Sequence, residues 1–402
     1  MIVKLAWKDI WRNKRRSMIT MVAVAFAVFF AVLMRCMQLG MYDRMITTVV
    51  ENKLGYIQVH QNGFWEEKIV DNAFFEEDVA IESIRKIKGV SIEKRIETGV
   101  LSSYGQNSKG SFVMSLEKSG AKTDLIKEQL IDGQLPQSGK NEVVIGSELA
   151  EFYGVKTGDT LVLIGQGYQG ATAASLNVIS GIANMKIPEL NKLGIYMDLT
   201  DLQDFLSAPG ALTSLIIDLD KPKNMMSVQE EIKQITGEAY EVMNWKELTP
   251  ELVQMIQADS SGGLIMAFIL YMIISFVMFG TSLMATQERK FEMGILLAIG
   301  MKKWRSIVLI FLESTFLNLF GVIVGLMGAI PIAFNYSVNP VPLKGLASES
   351  MEEMGFEAVI QFSADPSIFI THGLIILVIS TLIVLYPVRV IAKMNPVEAM
   401  KR

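Results

Sequence analysis

An uncharged apolar run from Ser17 to Met34, closed off by Arg16 and Arg35, constrains this chain more than any other feature. At roughly 1.5 Å of rise per residue, a helix of that length nearly matches the hydrocarbon core of a bilayer. A cleaved signal peptide is the rival reading, but the run is too long for such a leader and no small-residue cleavage site follows it. The sequence therefore predicts a retained anchor over residues 17–40. Three further runs predict spans at 260–286, at 307–334, where only Glu313 interrupts near the start, and at 366–388, between Asp365 and Arg389. Half of the residues are hydrophobic (50%) and a fifth charged (20%), which suits a protein with both membrane and aqueous parts.

Lysine and arginine stay on the cytoplasmic side, so the flanks orient the spans. The N-terminal segment 1–16 carries Lys4, Lys8, Arg12, Lys14, Arg15 and Arg16; the link 287–306 carries Arg289, Lys290, Lys302, Lys303 and Arg305; the tail 389–402 carries Arg389, Lys393, Lys401 and Arg402. All three are expected inside. The link 335–365 sets Lys344 against Glu349, Glu352, Glu353, Glu357 and Asp365, and is expected outside. The N-terminal segment interleaves Leu5, Trp7, Ile10 and Trp11 with its basic residues, a pattern that predicts an amphipathic helix lying on the inner membrane surface.

Residues 41–259 read as ordinary globular sequence, with charges throughout and short alternating segments. The expected fold is thus an α-helical membrane protein with four transmembrane helices and a large mixed α+β extracytoplasmic domain inserted between helices 1 and 2. Strands are predicted at Tyr56 to Gln61, Val90 to Ser103 and Gly110 to Leu116, and a helix at Val79 to Lys88. A helix, a glycine turn and a strand recur at Ile84 to Ile96 and at Ile232 to Met243, which suggests two similar halves. Between them, the glycine-rich Gly165 to Ser175 predicts a projecting hairpin tip, either functional or an idle loop. Helices are expected at both membrane junctions, with Thr249 and Pro250 as N-cap and first-turn residue of the second, together making a stalk.

The formal charge of −5, with no basic stripe outside the membrane flanks, argues against nucleic acid as a partner. With one cysteine and two distant histidines, no metal ligands and no catalytic residues are expected. Gly133 to Asn141 has the wrong spacing for a phosphate loop, and Asn141 stands where magnesium needs a hydroxyl. In the link 287–306, apolar Ile295, Leu296, Leu297 and Ile299 beside Glu292, Lys302 and Lys303 suit either docking in a protein groove or resting on lipid. Gly321, Gly325 and Gly328 form a small-residue face for helix packing, and Phe26, Phe29, Phe30 and Met34 an apolar strip that acyl chains could contact.

The stretch Gln287 to Ile307, with Arg289, Glu292, Gly294, Ile295, Leu296, Ala298 and Gly300 before Lys302 and Lys303, resembles the signature of the FtsX-like, MacB-type (type VII) ABC transporter permease family. The ending Asn395 to Arg402, and Val143 to Gly146, Leu149, Ala150, Gly154, Val155, Gly158 and Asp159 in the domain, are similar to the family's patterns. In plan the chain is most similar to the lipoprotein-releasing permeases. That resemblance implies a multi-pass permease of the bacterial inner membrane, with both termini cytoplasmic, paired with a second permease subunit, identical or different. Membrane lipids would surround it. A separate cytoplasmic ABC ATPase, holding the ATP and magnesium, would dock on the segment Glu292 to Lys303 that includes Leu297 and Met301. The chain itself would hold no cofactor. The cargo would be a lipoprotein, passed to a periplasmic carrier through Gly165, Gln166, Gly167 and Tyr168; export of small molecules or peptides, and a regulatory scaffold for a cell-wall hydrolase, are the alternatives.

Overall fold

The computed structural model describes residues 2–12, 14–118, 120–353 and 356–393. The tail motif Asn395 to Arg402 lies outside the described residues. Two compact units emerge: Met45–Met255 with Leu343–Ala358, and the remainder.

The membrane unit is built from five helices: α1 (Ile2–Arg12), α2 (Lys14–Val49), α3 (Pro250–Ala298), α4 (Lys303–Val338) and α5 (Pro366–Ala392). Among the described residues, α2 to α5 are each long and apolar enough to cross a membrane. Their core joins Val24, Val28, Ala31 and Val32 of α2 to Val322, Ala329 and Ala333 of α4 and to Ile368 and Ile376 of α5. Small residues set how closely these helices approach. A Cβ on Gly321 would lie 2.6 Å from Val24 Cβ, and one on Gly325 would lie 2.5 Å from the Ala25 carbonyl oxygen. Without a hydrophobic drive between helices in lipid, such close backbone approach is what holds a bundle together. The third helix is the outlier. Only 6% of its most apolar window is buried, against 33%, 39% and 28% for α2, α4 and α5.

Both α2 and α3 continue past the apolar runs, so the span boundaries drawn from hydropathy at residues 40 and 260 fall inside unbroken helices. The link 287–306 is likewise no separate segment, since α3 runs to Ala298 and α4 begins at Lys303.

The inserted unit contains two large sheets and a short two-stranded one that pairs Phe74–Phe75 with Ala211–Leu212. In the first, Ile57–Gln61 and Ser214–Leu219 lie at the centre, with Tyr240–Asn244 and Val90–Arg95 at the edges, all pairs antiparallel. Strand, helix Ile81–Arg85 and strand, then strand, helix Met225–Thr236 and strand, produce this order. It is a split βαβ layout, and the two helix-turn-strand segments of the sequence occupy its opposite edges. The second sheet runs Thr172–Ala183, Glu142–Gly146, Gly194–Asp198, Asn107–Leu116, Glu97–Tyr104 and Thr160–Gln166. It closes because Thr160–Gln166 also pairs with Thr172–Ala183. Leu130–Gly133 adds an outer strand. Closure removes the open edges that would otherwise invite foreign strands. On one face Met114, Val144 and Tyr196 join a core with Ile126, Met185 and Leu190, while Val143, Ile145, Ile195 and Met197 are buried on the other.

The predicted single strand Val90 to Ser103 is in fact two. Val90–Arg95 belongs to the first sheet and Glu97–Tyr104 to the second, with Ile96 buried between them. The expected helix Val79 to Lys88 shrinks to Ile81–Arg85, preceded by a tight turn at Glu76–Asp78.

Candidate functional site

The turn between α3 and α4 is built by a glycine. Gly300 adopts φ +102, and its N–H donates to Leu297 O at 3.1 Å while that of Met301 donates to Leu296 O at 3.0 Å. These paired bonds close the last turn of α3 and satisfy carbonyls that a helix end would leave open. The turn sits on α1 and the start of α4: Ala6, Met293, Leu309, Ile310 and Ile391 form a buried cluster, with Leu296 and Leu297 packed against it. The expected docking residues therefore separate into two sets. Leu296 and Leu297 face inward, Gly294 is buried, and Glu292 pairs with Arg12 at 3.1 Å. Ile295, Ala298, Ile299, Gly300, Lys302 and Lys303 are exposed, Ile299 by 79%, and Met301 is half-buried. Exposed Trp304 extends this set; its place just after the basic pair was its only mark in the sequence.

Between α2 and α3 lies an apolar groove of about 780 Å³, with Met18, Val22, Phe26 and Phe30 on one wall and Ile273 and Val277 on the other. The Phe26 and Phe30 rings meet at a tilt of 47° with their centroids 4.3 Å apart. The apolar strip read from the sequence divides here. Phe26 and Phe30 line the groove, whereas Phe29 packs into the helix core, 3.2 Å from the position of a Cβ on Gly328. Met34 is half-buried and outside the groove lining.

A polar chain ties the same two helices further along. Arg35 Nη1 donates to Gln38 Oε1 at 2.7 Å, Gln38 Nε2 to Tyr42 Oη at 2.8 Å, and Tyr42 Oη to Asp259 Oδ2. Sequence reading missed this set. Its available signal was that Arg35 and Asp259 are charged residues flanking the first two runs.

In the inserted unit the C-terminal end of the first stalk helix is held by buried cations. Lys122, only 4% exposed, donates to Val50 O at 3.2 Å and Glu51 O at 2.5 Å, and pairs with Asp218 at 3.2 Å. Arg95 donates to Lys53 O. Cations suit the negative end of a helix dipole, and here they bind its last carbonyls directly. Burial lowers the Lys122 pKa, with Asp218 opposing that shift, and burial raises that of neighbouring Glu93, whose carboxylate accepts the Lys122 N–H at 3.0 Å.

The glycine-rich hairpin forms, but its tip does not project. Tyr168 N–H donates to Leu206 O at 2.9 Å, Gln169 N–H donates to Asp71 Oδ1 at 2.6 Å, and the Tyr168 ring meets Phe75 edge-on at 5.8 Å. Gly167 is buried, Gly165 and Tyr168 are half-buried, and of the expected contact residues only Gln166 is exposed. Asp71, Phe75 and Leu206 lie far from the hairpin in sequence, which is why the pattern alone read as a free tip.

Two family models match the chain. One, described as FtsX-like permease C-terminal, covers residues 264–396, and one described as MacB-like periplasmic core domain covers residues 17–235. The lipoprotein-releasing system transmembrane protein LolC of Xylella fastidiosa (strain 9a5c) is 19% identical over 290 residues, covering 69% of this chain and 68% of that protein. Among solved structures, the extracellular domain of the noncanonic ABC-type transporter YknZ from Gram-positive bacteria has 17% identity and a TM-score of 0.33, over 47% of this chain and 100% of that one. The periplasmic region of MacB from Actinobacillus actinomycetemcomitans has 12% identity and a TM-score of 0.35, over 53% of this chain and 97% of that one.

Proposed function

From the premise that this chain belongs to the MacB-like, FtsX-like family of ABC transporter permeases, we propose that it couples a separate cytoplasmic ATPase to release of a lipid-anchored protein from the inner membrane. The protein is an integral membrane protein of four apolar helices with a mixed α/β domain between the first and second. In our reading its basic flanks, and both termini, face the cytoplasm.

The observation that carries the proposal is the groove between α2 and α3. It is apolar, lined by exposed phenylalanines and flanked by the least buried helix of the bundle. An acyl chain fits such a surface without exposing any polar group, and the bare face of α3 suits a second permease subunit closing the other side. The exposed set Ile295, Ile299 and Trp304 is the natural landing place for the ATPase, because α3 runs unbroken from it to Pro250. ATPase closure would then move α3 as a rod, and with it the inserted domain.

A photocrosslinking residue at Phe26 should capture a lipoprotein during turnover, and one at Phe29 should not. Capture at Phe26 of a small apolar molecule or peptide would replace the cargo assignment by export. Ile299→Asp should cut recovery of a co-purified ATPase by about tenfold or more, as loss of an interface anchor does. Undiminished recovery would remove the docking assignment. Leu297→Asp would not separate docking from folding, because Leu297 packs inward against the buried cluster.

A further inference from the structure

A second cavity lies at the end of the bundle where α1 crosses the start of α4. It measures about 300 Å³ and is lined by Ile2, Lys4, Leu5, Lys8, Met301, Arg305 and Leu309. Its composition is unusual for a helix-packing gap: an apolar floor with three cations and no acidic residue in the lining. Lys4 and Lys8 stand four residues apart and so share one face of α1. Arg12, one turn further on, is different, since it pairs with Asp9 at 3.3 Å and Glu292 at 3.1 Å. Among the described residues Lys4, Lys8 and Arg305 have no ion pair, and the Arg305 guanidinium lies over the Trp304 ring, 5.8 Å from its centroid. All three cations are exposed while Leu309 beneath them is buried to 1% exposure.

We infer that this cleft is a binding site for one anionic phospholipid, its phosphate held by Lys4, Lys8 and Arg305 and its first methylenes by Ile2, Leu5, Met301 and Leu309. Three features favour lipid over an acidic protein segment. The floor is apolar, whereas a partner's acidic helix would need polar contacts between its carboxylates. The cleft lies at one end of the spans, where Ser17 and Ile307 begin the apolar stretches and headgroups reside. On α1 itself, Trp7 and Trp11 are exposed by 42% and 57%, as aromatic side chains at a headgroup layer are. Basic pockets between helices at a membrane surface select charged headgroups through the same combination.

The site has a consequence for coupling. Met301 lines the cleft and also closes the Gly300 turn through its N–H, so an occupied cleft braces the proposed docking turn from behind. Only this last consequence rests on the function proposed above; lipid binding does not.

The experiment is lipid exchange with the full chain in detergent, using vesicles of phosphatidylcholine with or without phosphatidylglycerol, read by native mass spectrometry. The wild-type chain should retain phosphatidylglycerol in preference to phosphatidylcholine. Each of Lys4→Gln, Lys8→Gln and Arg305→Gln should weaken that preference by about fivefold. Lys4→Arg with Lys8→Arg should restore it, which a variant damaged in folding would not do. Equal retention of the two lipids, or an unaltered preference in the triple glutamine variant, would overturn the inference. Displacement by sn-glycerol 3-phosphate as readily as by phosphatidylglycerol would make the site a free-phosphate site and overturn the lipid assignment. Loss of ATPase co-purification in the triple variant without any change in lipid retention would assign the cations to protein docking instead. Normal lipid retention with no ATPase recovered from wild type would leave the lipid site standing and count against the proposed function alone.

Discussion

His60 shows how much one buried side chain can carry. Its Nδ1 lies 3.0 Å from Thr213 O, so the proton sits on Nδ1 and donates to that carbonyl, while Phe64 stacks on the ring at 5.3 Å. The other nitrogen, Nε2, is buried without a hydrogen-bond partner among the described residues. Protonating it would place a charge in an apolar slot, and burial accordingly lowers the pKa from 6.5 to about 4. The folded state thus binds this proton less well than the unfolded state. Its contribution to stability is complete above about pH 6.5, falls as the pH drops towards about 4 and then levels off. The depressed pKa corresponds to about 3 kcal/mol across that window. His60→Asn, which can still donate to Thr213 O, should flatten the acid limb; hydrogen exchange of the strand Ile57–Gln61 followed against pH would detect it. An unchanged acid limb in the variant would rule out His60 as the group responsible. None of this was legible in the sequence, where His60 figured only as too distant from His372 to share a metal. Burial depends on Thr213 and Phe64 arriving together, and Thr213 is remote in the chain.

Among elements, helices were easier to read than strands. Spans announce themselves by length and flanking charge, and the close packing of α2 on α4 follows from where Gly321 and Gly325 stand. Gly325→Val should destabilise the bundle by about 1–3 kcal/mol, the usual cost of forcing bulk into a packed contact. Thermal melting of the detergent-solubilised protein would report it, whereas the same change at Gly280, which has nothing within 4 Å of a Cβ, should cost less. The strands were harder. Val90 to Ser103 reads as one run, and only long-range pairing assigns its halves to different sheets. The stalk clamp was also invisible, since Lys122, like Lys127 in the same helix Ala121–Gln129, looks like any solvated charge. Lys122→Met removes the partner of Asp218 and two carbonyl contacts. It should destabilise the domain by about 3 kcal/mol or more, as breaking a buried pair does, and speed exchange of the amides around Val50. Slow exchange there in the variant would show that the carbonyls are held by other means.

For the whole molecule, charge and hydropathy were enough to give the order of one span, a domain and three spans. The groove was only half legible, because Phe26, Phe29 and Phe30 look alike in sequence and only the rotation of α2 against α4 separates them. The domain's internal plan shows one thing more. The barrel-bearing stretch leaves the four-stranded sheet at Arg95 and returns at Thr213, and these ends meet: Thr213 N–H donates to Arg95 O at 2.9 Å and Glu97 N–H to Thr213 Oγ1 at 2.9 Å. Replacing 97–212 by a short glycine linker should therefore leave a folded four-stranded sheet, measurable by its amide protection although weakened around Val50 by the loss of Lys122, and collapse of that sheet would show that the two parts fold only together. If the sheet survives, the barrel is a cassette with its entry and exit side by side. Descent could then exchange or enlarge it so long as a cation in the place of Lys122 still reaches the Val50 and Glu51 carbonyls, and relatives with unlike cargo would be expected to differ first in the rest of that interval.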